Sequence, residues 1–394
     1  MNKKMYVAII LLIAVTRVTF CQETSAGWVK YANSPVLGGS TFGTIFDISV
    51  LKEASGYKMW CSWRNLKSIA LSSSSDGFKW SNPVIALSPN SGTTWESDIN
   101  RPGVIKKDSL YQMWYTGQAN NQSWIGYATS TDGRTWKRMS VNPVISPDVP
   151  WEKVATMCPS VMWDEEEGIY KMWYSGGEQY EPDAIGYATS EDGLNWKKYS
   201  GNPVFKNNPA NQWEQYKVTA CQVIKENGEY LMFYIGFRDI DYAQIGIAKS
   251  KDGITGWQRH PLNPIIRPGK NWDASAVYKP YAIFDGTKWL LWYNGRNGSV
   301  EQIGMATHEG YDLGFSLESI IEPDVSDIYN VWTDKGELYL KGTENTIYKV
   351  YGIGGTTISE GTFDSTITIN NIPKGTYLVS LVNGKICITR KVII

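Results

Sequence analysis

One phrase, Ser-x-Asp-Gly-x-x-Trp or a close variant, recurs four times in this chain, at Asp76–Trp80, Asp132–Trp136, Asp192–Trp196 and Asp252–Trp257. A self-similar period of about sixty residues means that one supersecondary unit is copied and stacked, which rules out most folds at once. The last three copies follow a strand-like Ile-Gly-Tyr-Ala-Thr-Ser or a variant of it (Ile125–Ser130, Ile185–Ser190, Ile245–Ser250) and precede an Asn-Pro at Asn142, Asn202 and Asn263. Upstream of each copy lies a strand of the type Tyr-x-Met-Trp-Tyr (Tyr111–Tyr115, Tyr170–Tyr174, with Tyr57–Trp60 and Tyr230–Tyr234 as variants). Before that comes an apolar strand opened by Trp-Glu or Trp-Asp at Trp95, Trp151, Trp213 and Trp272. Asp-Gly between two strands makes a hairpin turn, because Gly accepts the positive φ that the turn needs. Four strands per unit and no amphipathic helix predict the blades of a β-propeller.

Five units can be counted, from Tyr57, Tyr111, Tyr170, Tyr230 and Trp289. The fifth lacks its outer strand, since no Asp-Gly-x-x-Trp follows Ile303–Thr307. Trp28-Val-Lys-Tyr-Ala-Asn-Ser-Pro-Val36 matches Trp196-Lys-Lys-Tyr-Ser-Gly-Asn-Pro-Val204. The N-terminal strand is therefore expected to complete the last blade and remove a free sheet edge. The reading is all-β: a five-bladed propeller over residues 22–315 and a small C-terminal β-sandwich over 316–394. In the latter, alternating strands are expected at Glu337–Lys341, Thr346–Tyr351, Thr366–Ile369, Thr376–Leu381 and Lys385–Ile393.

The first residues, Met-Asn-Lys-Lys and then an apolar run from Met5 to about Val15, read as a signal peptide over 1–21. The run is too short to span a membrane. Export follows, to the periplasm, the cell surface or the medium; the alternative of lipidation at Cys21 is disfavoured by the bulky Phe20. A formal charge of -1 leaves no electrostatic footprint for nucleic acid, and neutral partners, oligo- or polysaccharides, fit better. With two histidines, His260 and His308, far apart, no metal site or other cofactor is expected, and an axial Ca2+ is not indicated. Cys61, Cys158, Cys221 and Cys387 show no disulfide framework. Any catalysis rests on carboxylates.

Repeats supply an internal test for such groups. A column alike in every blade serves the fold, whereas an axis-facing column that differs is a candidate site. The Trp-Glu/Asp column (Glu96, Glu152, Glu214, Asp273) and the hairpin aspartates (Asp76, Asp132, Asp192, Asp252) are alike, so both read as scaffold. The middle of the inner strand differs: aligned on Val50, Val104, Val161, Val223 and Ala282, one position reads Asp47, Arg101, Cys158, Ala220 and Lys279. A charged cluster in apolar strands is costly unless paired or used; mutual salt bridging of Asp47 with Arg101 or Lys279 is the bland alternative. Loops expected at the same end carry Arg64, Trp124, Glu178, Asp239, Arg296 and Glu301, which with aromatic faces suit a hydroxyl-rich ligand.

On Tyr170–Gly176, Ile185–Trp196 and Phe46-Asp-Ile-Ser-Val50, the segment from about Trp28 to Phe315 resembles the five-bladed glycosidase propellers of glycoside hydrolase families 43, 32 and 130. In families 43 and 32 the resemblance implies a first-blade Asp as base or nucleophile, a third-blade Asp that orients or tunes, and a fourth-blade Glu as general acid. Asp47 matches the first; Cys158 stands at the second and Thr219 and Ala220 around the third. Cleavage needs two carboxyls, so the second is expected from Asp98, then from Glu178 or Asp239. Arg101, Lys279, Arg296, Arg64, Trp124 and Glu301 are expected to position substrate. The expected function is hydrolysis of terminal sugars from plant or host glycans. The alternatives are a carbohydrate-binding propeller without catalysis and a glycoside phosphorylase, which would use the basic groups for phosphate. The ending Ile372-Pro-Lys-Gly-Thr-Tyr-Leu-Val resembles the C-terminal sorting domain of type IX secretion cargo, which implies the secretion machinery as a partner.

Overall fold

The computed structural model describes residues 23–39, 41–180, 182–315, 328–334, 336–352, 357–383 and 386–394. The expected signal peptide, with Cys21, lies outside them. The described residues form strands and two short 3-10 turns, with no α-helix. The chain divides into two compact units, Met1–Phe315 and Ser316–Ile394.

In the first unit five groups of antiparallel strands follow one another. Group one is Ile45–Glu53, Gly56–Trp63, Ser68–Ser74 and Val84–Leu87. Group two is Asp98–Lys107, Leu110–Ala119, Gln122–Ser130 and Lys137–Arg138; group three is Ala155–Asp164, Ile169–Gly177, Ala184–Ser190 and Lys197–Lys198. Group four is Lys217–Glu226, Glu229–Phe237, Ala243–Ser250 and Gln258–Arg259. Group five is Ala276–Phe284, Lys288–Asn297 and Val300–Glu309, and its fourth strand is Trp28–Lys30 from the N-terminus, with Val29 opposite Thr307. A parallel bridge from Ala155 to Ser123 merges groups two and three into one nine-stranded sheet. The first strands of the groups contact one another in chain order, and Ala276–Phe284 returns to Ile45–Glu53.

The recurrent tryptophans explain this order. Trp60 donates its indole N–H to the Gly133 carbonyl of group two (2.8 Å), Trp114 to Gly193 of group three (2.9 Å) and Trp173 to Gly253 of group four (2.7 Å). Trp292 of group five donates to Gly77 of group one (2.8 Å). Group four carries Phe233 at this position, and group five has no Asp-Gly turn to receive a donor. A second tryptophan column explains the glycine of Ile-Gly-Tyr-Ala: a Cβ on Gly126 would lie 2.5 Å from Trp95, and one on Gly246 2.5 Å from Trp213. In the turns, Asp192 Oδ1 accepts the backbone N–H groups of Leu194 and Asn195 (both 2.8 Å), while Gly193 sits at φ 77°.

The Trp-Glu/Asp acids are scaffold, as the repeat argument expects. Glu96 accepts the Tyr115 hydroxyl at 3.0 Å and pairs with Arg138 at 2.9 Å. Glu152 does so with Tyr174 (2.6 Å) and Lys198 (2.7 Å), and Glu214 with Tyr234 (2.9 Å) and Arg259 (2.6 Å). Asp273 takes Tyr293 (3.4 Å) and Lys30 (2.6 Å), Lys30 being the equivalent of Lys198 in the N-terminal strand. Each acid is buried and ties the second strand of its group to the fourth. Burial, assisted by the neighbouring acid, pushes the tyrosine hydroxyls well above their usual range.

The second unit holds a three-stranded sheet, Asn330–Asp334, Glu337–Lys341 and Thr366–Ile369, and a four-stranded one of Thr357–Phe363, Thr346–Gly352, Thr376–Asn383 and Ile386–Ile393. Leu338 and Leu340 of the first and Val350, Val379 and Leu381 of the second share one core. Asn330–Asp334 and Thr357–Phe363 are two strands beyond those read from the sequence; the first is almost wholly exposed and the second holds Glu360-Gly361, so neither shows a clear apolar alternation.

Candidate functional site

The column in which the copies disagree is also where the backbone is irregular. Asp47, Arg101, Cys158, Ala220 and Lys279 all adopt positive φ, at 46°, 52°, 55°, 35° and 48°. Each coincides with a register shift against the neighbouring strand: Phe46 pairs with Ser62 and Ile48 with Cys61, which leaves Asp47 unpaired between them. Ala220 is left unpaired in the same way, and Arg101, Cys158 and Lys279 are each left unpaired together with the proline that follows. A left-handed bulge re-aims the side chain and costs backbone energy for a non-glycine residue. The neighbouring group holds the bulged N–H in place. Ser62 Oγ accepts from Arg101 N (2.8 Å), Thr116 Oγ1 from Cys158 N (3.1 Å), Ser175 Oγ from Ala220 N (2.8 Å) and Asn294 Oδ1 from Asp47 N (3.1 Å).

The bulges divide two cavities. One, of about 210 Å³, is lined by the bulge residues Asp47, Arg101, Cys158 and Ala220, by Phe46, Thr219 and Tyr278 just before bulges, and by Arg64, Gln118, Tyr180, Pro182 and Glu301 among others. The other, of about 430 Å³, is lined by residues that follow the bulges, such as Ile48, Pro102, Pro159 and Cys221. Lys279 departs from the other four bulge residues: it lines this second cavity.

In the smaller cavity the charges are matched. Arg101 Nε lies 3.1 Å from Asp47 Oδ2, both side chains being largely buried. Arg64 Nη2 lies 2.7 Å from Glu301 Oε2, and Tyr278 donates its hydroxyl to Glu301 Oε1 in a short hydrogen bond. Arg101 also donates to Asn100 Oδ1 at 2.8 Å and to the Tyr180 carbonyl at 3.4 Å, and Gln118 Nε2 reaches the Gln179 carbonyl at 3.5 Å. The Tyr180 loop is thereby held over the cavity by two of the cavity's own side chains. Lys153 secures its base by pairing with Glu178 (2.9 Å) and Asp183 (2.6 Å). The Thr219 hydroxyl, buried in the wall, has no hydrogen-bond partner among the described residues.

Of the residues expected at the site, the structure brings together Asp47, from the catalytic set, and Arg101, Arg64 and Glu301, from the set expected to position substrate. Asp98 stands behind them, its Oδ1 accepting Asn100 Nδ2 at 3.0 Å. Glu178 is exposed and held by Lys153, and Asp239 is half-buried and held by Arg238 at 2.8 Å; neither lines the cavity. Arg296 donates to the Asp241 carbonyl at 2.9 Å, and Trp124 packs half-buried against the core of group two. The expected grouping of Lys279 with Asp47 and Arg101 is not found, because its side chain serves the opposite cavity. The ion pair of Asp47 with Arg101, set out above as the bland alternative to a site, is formed. In the sequence Phe46 and Thr219 stand out only through the family resemblance and Tyr278 not at all, although the three belong to a second varied column one residue before the first. Tyr180 carries no repeat signal.

Comparison with known proteins bears on this site. The chain is 27% identical over 299 residues to a 1,2-beta-oligomannan phosphorylase of Thermoanaerobacter sp. (strain X514), covering 69% of this chain and 92% of that relative. A beta-1,2-mannobiose phosphorylase of the same organism is 26% identical over 141 residues, 32% of this chain and 45% of the relative. Among solved structures, one described as a glycoside hydrolase superposes with a TM-score of 0.59 at 19% identity, covering 72% of this chain and 93% of its own. A thermostable family-43 glycoside hydrolase gives 0.56 at 20%, covering 78% and 95%. A structure from work on family 130 mannoside phosphorylases that contain hydrolases targeting beta-1,2 mannosidic linkages in Candida mannan gives 0.57 at 14%, covering 73% and 96%. Residues 334–394 match the secretion system C-terminal sorting domain, which points to export. Residues 22–222, just over half of the 394, match the model of the glycosyl hydrolases family 32 N-terminal domain, and the chain belongs to that family.

Proposed function

We propose that the protein is an exported glycosidase, a five-bladed β-propeller closed by its N-terminal strand and carried out of the cell by a C-terminal sorting sandwich, that hydrolyses a terminal sugar from a β-mannoside-type glycan. The observation that carries this reading is the pair Asp47 and Glu301: two carboxyls lining one cavity, each matched by its own arginine. Glycoside cleavage uses two such groups. Both oxygens of Glu301 accept, from Arg64 and from the Tyr278 hydroxyl, so Glu301 serves as the acid only after taking a proton from solvent with the Tyr278 hydroxyl turned away; it then gives that proton to the glycosidic oxygen as the C–O bond breaks, and Asp47 activates the water, or itself attacks the anomeric carbon. At about 210 Å³ the cavity is smaller than the roughly 300–1,000 Å³ of pockets that enclose drug-sized ligands, which supports one sugar ring inside and the rest of the glycan outside.

The names of the relatives raise phosphorolysis as the second reading. It needs a surplus of positive charge to hold phosphate against the acids. Here Arg64 and Arg101 are both committed to carboxylates and Lys279 lines the other cavity, so the charge balance favours water. Incubating the full-length protein with β-1,2-mannobiose and longer oligomannosides tests this. Free mannose released with or without inorganic phosphate is expected. Sugar 1-phosphate formed only when phosphate is present would establish the second reading, and binding without cleavage would make this a carbohydrate-binding protein.

A further inference from the structure

We propose that the larger cavity, on the side of the bulges away from Asp47, binds a small anion with the Lys279 ammonium at its inner end. Lys279 is 3% exposed, yet among the described residues it makes no ion pair and no hydrogen bond. The ammonium keeps only a small patch of solvent contact, which leaves cavity water or an anion to compensate it, and its three N–H groups can only donate. The contrast with Arg101, which occupies the same bulge position in group two, is direct: Arg101 meets Asp47 at 3.1 Å.

The groups around Lys279 add donors and no spare acceptor. Ser160, on the wall of the same cavity, uses its hydroxyl oxygen to accept the Val223 N–H at 3.0 Å, which leaves its proton to give. The Cys221 thiol beside Lys279 is pushed up to about 12 by burial, with the lysine charge pulling the other way, so it remains S–H, a weak donor. The acceptors that could have satisfied the ammonium are engaged. Gln222 exchanges both its amide groups with the backbone of Ala282 (2.9 and 2.6 Å). Ser49 Oγ accepts the Val104 N–H at 3.0 Å. Asp108, Glu165 and Glu226 also line this cavity, but each lies at or just past the end of its strand, together with Lys106, Lys107 and Lys225; the stretch beside the bulges offers one cation and neutral donors, the chemistry of a site for an inorganic anion or a small carboxylate. At about 430 Å³ the cavity admits either with room for water. The Lys279 cavity is separate from the one that holds Asp47 and Glu301.

The test is thermal unfolding of the full-length protein at fixed ionic strength and pH, with chloride, acetate or sulfate replacing the bulky HEPES anion. A ligand that binds only the folded state raises Tm by mass action, by about 2–4 °C for concentrations well above Kd in a domain of this size. A saturable rise with at least one of these anions is expected, and the chloride and acetate arms tell an inorganic anion from a carboxylate. Lys279→Met, which keeps the apolar stem, is expected to abolish the rise. No anion-specific rise in the natural protein, or the same rise in Lys279→Met, overturns the proposal. Should that variant fail to fold, crystals of the natural protein soaked in bromide decide it: an anomalous peak within contact of Lys279 Nζ supports the site, and a cavity free of bromide signal overturns it.

Discussion

Glu96 and Asp47 are both buried carboxylates held by an arginine on a neighbouring strand, yet they stand in opposite relations to the repeat. Glu96 has counterparts in Glu152, Glu214 and Asp273, each with the same tyrosine and a cation in the same place. Asp47 has as counterparts an arginine, a cysteine, an alanine and a lysine, and all five sit on left-handed bulges. A repeated ion pair solves the same packing problem several times, so its identity is fixed by the fold. A bulge conserves a backbone device while freeing the side chain it presents, so its identity is left to chemistry. The difference between the two columns separates what folds this chain from what it does.

The largest test of that contrast is catalytic. Asp47→Asn and Glu301→Gln keep the shape of each side chain and remove its acid–base function, so kcat on an oligomannoside is expected to fall about 10²- to 10⁴-fold. If both variants retain full activity while remaining folded, the bulge column does not carry the reaction. Glu96→Gln is the counterpart on the repeated column. It leaves the buried end of Arg138 without its bidentate partner and is expected to cost about 3 kcal/mol of stability, at the low end for a broken buried pair because a fifth of Arg138 still meets water. Thermal or denaturant unfolding checks this, with kcat per folded molecule unchanged.

These columns also show how far the sequence could be read. The strand order, the scaffold acids and the fourth strand lent by Trp28–Lys30 were legible because each is a repeated solution, and repetition is visible in one dimension. Asp47 and Arg101 were legible as departures from repetition. Glu301 could be chosen as a site residue, but its partnership with Asp47 could not be seen, since the cavity joins the first and fifth groups from opposite ends of the chain. Lys279 shared its column with Asp47 and was read as sharing its cavity; a long flexible side chain on a bulge can turn to either side, and only packing decides which. Tyr180 had no signal because a loop residue answers to no column.

Tyr180 therefore sharpens the comparison at a third kind of position. It is 63% exposed, lines the smaller cavity and is held through its own carbonyl by Arg101. A sugar ring leaving the cavity passes this aromatic face, and a stacking contact of that sort contributes about 0.5–1.5 kcal/mol. Tyr180→Ala is expected to raise KM for an oligomannoside roughly 2- to 10-fold, with Tyr180→Phe restoring it and with little change for an aryl monosaccharide. An equal loss on both substrates would assign Tyr180 to the cavity itself instead of its approach.

The smallest expected effect returns to a repeated acid. Asp192 is brought down to about 2, chiefly by the backbone N–H of Asn195, then by the Asn195 side chain and the N–H of Leu194. Its carboxyl thus titrates lower in the folded chain than in the unfolded one, where it has its ordinary value of 3.8. The sign follows: the unfolded chain takes up a proton first as pH falls, so the turn's contribution is complete above about pH 4 and is lost on the way down to about pH 2. Because Asp192 is exposed, solvent screens most of that contribution. Asp192→Asn keeps an oxygen to cap the same N–H groups but cannot titrate. It is expected to flatten slightly the fall of Tm between pH 4 and pH 2 while leaving Tm near neutrality within a degree or two of the natural protein. A steeper fall in the variant would mean that this repeated aspartate is held by something other than the turn that its sequence phrase encodes.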